Sequence, residues 1–181
     1  MEQPLITSAV RLGIRLSLAL AVTAALITPA ITTLSAARQE PSLIGKPAPA
    51  FALKDMAGKP LSLAAYKGKV VLLDFWATWC VPCREEIPHF LALQKKYGAR
   101  GFAVIGVSMD DDAKPIPAFV KKYGVTYPVA LGDAALGDKY GGVLGLPVAF
   151  VIDRAGVIRQ RFDGITTLDE FDKAIAPLFG K

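Results

Sequence analysis

The sequence predicts an α/β domain with a mixed central sheet flanked by helices and a small hairpin extension at its N-terminal side. Three observations carry that prediction. Two nearly continuous apolar runs, "KVVLLDFW" (69–76) and "FAVIGVSM" (102–109), have the composition of central strands buried on both faces. Each is followed by a segment of helical period. Late in the chain, "VAFVID" and "VIRQRF", separated by "RAG", read as a hairpin ahead of a final helix. Strands alternating with helices and closing on a hairpin give a mixed sheet.

Taken in order, residues 1–15 read as a cytoplasmic N-terminal tail carrying Arg11 and Arg15, and residues 16–37 are a 22-residue uncharged run, "LSLALAVTAALITPAITTLSAA". As a helix that run spans about 33 Å, enough for a bilayer core. It reads either as an uncleaved anchor or as a signal peptide cleaved near "SAA". Positive charge ahead of it places the rest of the chain outside the cytoplasm in both cases. Residues 38–45 read as a linker and 46–181 as the folded domain.

Within the domain, Phe51–Leu53 and Leu61–Leu63 form an early hairpin across "KDMAGKP". Ile87, Phe90, Leu91 and Leu93 recur at helical spacing over Val81–Tyr97, and Gly98 closes that helix. "PIPAFVKKYG" predicts a helix that starts at prolines and stops at Gly124. "YPVAL" predicts a short strand, and Asp133–Tyr140 a helix. "TLDEFDKAIAPLF" opens with Thr167 and, three residues later, Glu170, the pattern of a capping box.

The chain has 181 residues and a net charge of +5, and +4 remains once two arginines and one glutamate leave with residues 1–37. Its lysines are scattered with no basic run, which argues against nucleic acid as a partner and fits weak steering of acidic proteins.

The chemistry concentrates in "FWATWCVPCREE" (75–86), which holds both cysteines of the chain, Cys80 and Cys83. A disulfide closing so short a loop adds little stability, so the pair points to reactivity. With Cys80 where the strand turns into the helix, its sulfur faces first-turn N–H groups and the positive end of the helix dipole, which favour thiolate. Cys83, one turn on, is within disulfide reach. Pro82 fits there because a first-turn N–H has no intrahelical acceptor to lose. The geometry predicts an exposed attacking sulfur and a shielded resolving one.

Other uses of Cys-x-x-Cys fit poorly. Covalent haem attachment needs His after the second cysteine, where Arg84 stands. A closed zinc site needs about four ligands, and the chain offers two cysteines and His89, which reads as a surface or partly packed side chain. A metal shared between subunits is the one metal arrangement left, so the expectation is no metal and no cofactor.

"VVLLDFWATWCVPCREEIP" resembles the active-site segment of the thioredoxin superfamily. "IGKPAPAFALKDMAGKPLSLAAYKGK" resembles the entry segment of membrane-tethered TlpA/ResA-like thiol-disulfide oxidoreductases, and "GLPVAFVIDRAGVI" their cis-proline loop and closing hairpin. The resemblance covers roughly residues 44–179. It implies a thioredoxin-like fold with Cys80–Cys83 as the redox disulfide.

Three further positions follow by matching. Asp74, six residues before Cys80, occupies the place of an acid that assists deprotonation of the resolving thiol; many TlpA-like sequences carry Asn there. Burial raises a carboxyl's pKa, which suits that task. Glu86 matches the acid of Cys-x-x-Cys-x-x-Glu, against the plainer reading of a solvated glutamate near a helix N-terminus. Pro147 matches the cis-proline, which would set Leu146 to pair with an incoming peptide. Pro88 corresponds to a helix kink, Trp76 to core, and Trp79 to an active-site rim shared with Val81 and Pro82.

The implied activity is reduction of client disulfides, with a membrane thiol donor upstream, the N-terminal segment on the membrane and cytochrome or oxidase assembly proteins as clients. Val81-Pro82 between the cysteines resembles reducing members, and a disulfide-forming oxidase is the alternative. The specialised cytochrome c members carry Glu after the cis-proline, where Val148 stands. A peroxiredoxin would want Thr or Ser three residues before the cysteine and Pro seven before, where Ala77 and Leu73 stand. A copper-delivery protein would want Cys-x-x-x-Cys and a distant histidine.

Overall fold

The computed structural model describes residues 42–143 and 145–180. The tail and the hydrophobic run at 16–37 lie outside those residues, and among the described ones no helix is long and apolar enough to cross a membrane. The chain enters against the end of the molecule opposite its cysteines: Gly45 donates to the Ile158 carbonyl (2.8 Å) and Ala48 to that of Gly156 (2.9 Å).

β1 (Ala52–Lys54) and β2 (Pro60–Ser62) make the antiparallel hairpin, with Leu53 opposite Leu61. Its second strand stops one residue early, because Leu63–Tyr66 coil into a 3-10 turn. β3 (Val70–Trp76) is buried at every position. It feeds α1 (Val81–Tyr97), β4 (Phe102–Ser108), α2 (Ile116–Tyr123), β5 (Val129–Leu131) and α3 (Ala134–Lys139). Gly124 closes α2 with φ +63°, a left-handed conformation that suits glycine. β6 (Val148–Ile152), β7 (Ile158–Asp163) and α4 (Leu168–Ile175) complete the chain.

The five-stranded sheet runs β5-β4-β3-β6-β7. β3 pairs parallel with β4 and antiparallel with β6, which makes the sheet mixed as expected. Alternate residues of β3 serve two cores. Val70, Leu72 and Trp76 face a layer that includes Phe90 and Leu93 of α1, Phe119 of α2 and Phe171 of α4. Val71, Leu73 and Phe75 face Leu136, Tyr140 and the hairpin residues Phe51 and Leu61.

The predicted last helix divides. α4 ends at Ile175 and Ala176–Phe179 tighten into a 3-10 turn, because Pro177 lacks the N–H for an α-helical bond and its ring crowds the preceding turn. At the start of α4 both halves of the capping box form: the Thr167 N–H donates to Glu170 Oε2 (2.8 Å), and the Glu170 N–H donates to Thr167 Oγ1 (3.3 Å). Thr167→Ala is expected to lower stability by about 1 kcal/mol, read as a shift in the urea denaturation midpoint at unchanged slope.

Candidate active site

Cys80 is the N-cap of α1, where the turn from β3 meets the helix. Its extended backbone (φ −75°, ψ 106°) ends the turn, and its Sγ accepts a hydrogen bond from the Cys83 N–H at 3.2 Å. Pro82 falls in the first turn, where no donor is lost. The two cysteines are joined as a disulfide with Cα atoms 5.4 Å apart. No acidic side chain occupies the first turn, so nothing there offsets the positive helix end.

The expected contrast in exposure is not seen in this oxidised form: Cys80 and Cys83 are each 3% exposed. Bonding turns the sulfurs toward each other and onto the core that contains Trp76 and Ile87. The difference between the cysteines is one of position. Cys80 sits between Trp79 and Val81, which are 64% and 59% exposed, whereas Cys83 lies one turn deeper. Pro82 and Leu146 are half-buried. The Leu146–Pro147 bond is cis. Phe75 pairs with Val148, so Pro147 lies at the same end of the sheet as the turn leading to Cys80.

Asp74 lies in the middle of an otherwise apolar strand, on the face that carries α1, and does not reach solvent at a strand end. Its Oδ1 is buried with no hydrogen-bond partner. Burial first, and the neighbouring Glu86 charge second, hold its carboxyl well above the usual range. Glu86 is not a solvated surface glutamate, because it is only 1% exposed. Its Oε1 accepts from the Thr166 N–H at 2.8 Å, while Oε2 is buried without a partner. Burial pushes Glu86 up to about 7, against the opposing pull of that hydrogen bond. Tyr127 is also driven upward, by its own burial and by the charges of Asp74 and Glu86.

Across the sheet from Asp74 stands Gly106. A Cβ there would lie 3.0 Å from Trp76 Nε1 and 3.3 Å from the Tyr127 ring. Trp76 is core, its ring tilted against that of Phe119 with centroids 4.7 Å apart. His89 is half-buried and donates from Nδ1 to the Thr166 carbonyl at 3.2 Å. Pro88 lies inside α1.

Sequence reasoning missed three features of the site. Thr166, which binds both Glu86 and His89, is some eighty residues away from them in sequence. Its neighbour Ile165 is 57% exposed, and their loop is fastened by the Gly164 N–H donating to the Pro147 carbonyl (2.9 Å). Ser108 and Asp110, at and just beyond the end of β4, secure the turn before Cys80. The only sign of this in the sequence is a run of three aspartates (110–112) of which the first turns inward.

The arrangement provides a short path for electrons between cystines: one sulfur at a helix mouth, a second one turn below it, and two proton-holding carboxyls beneath. Among the described residues no group of three His, Cys, Asp or Glu side chains could hold a metal ion. Ala77 and Leu73 are fully buried, and neither brings a hydroxyl beneath Cys80.

The sequence matches the AhpC/TSA family across residues 44–161. It is 38% identical over 143 residues to the thiol-disulfide oxidoreductase ResA of Bacillus thuringiensis subsp. konkukian, covering 77% of this chain and 83% of that protein. It is 37% identical over 134 residues to the thioredoxin-like protein YneN of Bacillus subtilis, covering 72% and 78%. Among solved structures, a thioredoxin-family thiol:disulfide interchange protein from Chlorobium tepidum TLS superposes with a TM-score of 0.68 at 34% identity, over 74% of this chain and 96% of that one. With these matches and a Cys-x-x-Cys disulfide capping the helix after the central strand, the chain belongs to the AhpC/TSA family of thioredoxin-like proteins, as a ResA-like thiol-disulfide oxidoreductase.

Proposed function

We propose that this protein reduces disulfides of client proteins outside the cytoplasm, held to the membrane by the segment at 16–37 or released from it by cleavage. The observation that carries the reading is the placement of Cys80–Cys83 at the N-terminus of α1 above the buried carboxyls of Asp74 and Glu86. In the reduced form the Cys80 thiolate attacks a client cystine, forming a mixed disulfide and releasing one client sulfur as thiolate. Cys83 then gives up its proton and attacks the Cys80 sulfur. The mixed bond breaks, the client leaves with two thiols, and Cys80–Cys83 is oxidised.

Asp74 accepts the Cys83 proton in this scheme, with Glu86 as the second acceptor. The client strand pairs with the Leu146 backbone beside Pro147, and Trp79, Val81 and Pro82 supply the apolar rim. An upstream membrane thiol donor restores the dithiol. Assembly proteins of cytochromes and oxidases are the clients the ResA resemblance favours.

Equilibration with glutathione buffers tests the direction. A potential of about −250 mV or lower supports a reductase, and one near −120 mV would make the protein an oxidant instead.

A further inference from the structure

Ala77, Thr78 and Trp79 alone join β3 to Cys80, and the middle residue is fastened through each of its polar groups. The Thr78 N–H donates to Asp110 Oδ2 (3.0 Å) and its hydroxyl to Asp110 Oδ1 (2.6 Å). Its carbonyl accepts from Arg84 Nη2 (3.1 Å), one helical turn beyond Cys80. Asp110 is in turn fixed to the sheet. The Ser108 hydroxyl donates to its Oδ2 (2.6 Å), and the Asp110 N–H donates to Ser108 Oγ (3.2 Å). Ser108 is fully buried and pairs with Trp76 across β3 and β4, and the next residue, Met109, donates to the Trp76 carbonyl (2.7 Å). Asp110 thus ties the end of β4 to the turn that sets where Cys80 sits, while Trp79, between Thr78 and Cys80, projects into solvent.

We propose that Asp110 is a positioning residue for thiol–disulfide exchange: through Thr78 it holds Cys80 as the cap of α1, its sulfur aimed at the first-turn N–H groups. The inference rests on the reading of Cys80 as the attacking sulfur. Neither Asp110 nor Thr78 touches the reacting atoms. Their effect is on geometry, and misplacing a reacting group by a fraction of its diameter is enough to slow a reaction strongly.

Asparagine separates geometry from charge at this position. Its carbonyl in place of Oδ2 accepts from the Thr78 N–H and the Ser108 hydroxyl, and its amide in place of Oδ1 donates to a rotated Thr78 hydroxyl. Alanine removes the clamp altogether.

The test uses the reduced full-length protein and two readouts, the rate of Cys80 alkylation by iodoacetamide from about pH 5 to pH 10 and the steady-state reduction of a cystine-bridged peptide. Asp110→Ala is expected to slow both by about tenfold, through kcat rather than KM, and to move the alkylation midpoint toward that of a free thiol. Asp110→Asn is expected to recover rates to within about twofold of the unmodified protein. If Asp110→Ala does not fold, Thr78→Val, which keeps the backbone bond and loses the hydroxyl, is expected to slow both readouts by about threefold.

Unchanged rates in Asp110→Ala, or in Thr78→Val where that variant replaces it, overturn the proposal. So does an Asp110→Asn protein as slow as Asp110→Ala, because charge would then be the cause. Fast alkylation of Cys80 with no reduction of the peptide would overturn the disulfide-reductase reading instead, and the clamp would still be judged by the alkylation profile.

Discussion

Replacing Cys83 by serine is expected to leave the protein covalently joined to its client through Cys80, as a mixed disulfide that survives non-reducing electrophoresis and dissolves in dithiothreitol. The serine hydroxyl occupies the same place one turn into α1 but cannot displace a sulfur, so exchange stops halfway. Cys80→Ser removes the sulfur at the helix mouth and is expected to lower client reduction on the order of a thousandfold or more, with no adduct. Both cysteines are equally enclosed in the oxidised protein, so exposure does not separate their roles; the helix does. Cys80 is the cap, and Cys83 lies one turn into the buried face of α1, one turn before Glu86. Capture of client on Cys83 in the Cys80→Ser protein would reverse the order of attack.

The second large effect concerns the buried acids. Asp74→Asn is expected to slow the release of client from the mixed disulfide on the order of a hundredfold, the usual contribution of a positioned proton acceptor. The same variant is expected to be more stable than the unmodified protein above neutral pH. Proton linkage sets that sign. Glu86 ionises near 4.5 in an unfolded chain and at about 7 here, and Asp74 is raised as well. Through that interval the folded protein holds more protons than the unfolded chain. The stability from these groups is therefore fully present below it and is lost as the pH rises through it.

A tenfold change in proton affinity between the folded and unfolded chain corresponds to about 1.4 kcal/mol, which for Glu86 amounts to on the order of 2 kcal/mol once screening is allowed for. Glu86 retains the Thr166 hydrogen bond, whereas Asp74 has an unpartnered oxygen, so Glu86 gives up its proton first and Asp74 follows at higher pH, ready to take a proton from Cys83 once ionised. Urea midpoints of the oxidised protein at about pH 5 and pH 8.5 check this: the decline with pH should be smaller in Asp74→Asn and smaller again when Glu86→Gln is added. An equal decline in all three proteins would show that these carboxyls ionise as readily in the folded state as in the unfolded chain.

Most of the sheet was legible because its strands are local apolar runs, and β3 and β4 appear within a residue of their predicted ends. The cysteines were legible as a motif at fixed spacing, and Asp74, Glu86 and Pro147 only as positions matched through the family resemblance. What the sequence hid depends on which distant segments the parallel pairing of β3 with β4 brings together. Asp110 lies thirty-two residues from Thr78, and composition alone does not distinguish it from the exposed Asp111 and Asp112. Thr166 is a surface-type residue that becomes a buried donor only when the loop after β7 reaches α1. The depth of Glu86 was hidden for the same reason, since helical period alone does not say which loop will cover a given turn.

Gly106 sets a limit on how this centre can vary. A single methyl group there would press at once on the indole nitrogen of Trp76, the Val129 side chain at 3.2 Å and the ring of Tyr127, all held in the packed interior. Packing beside Asp74 therefore leaves little room for any larger residue at position 106. Variation is left to exposed side chains such as Trp79, Val81 and Ile165, which can be exchanged without disturbing the packed interior.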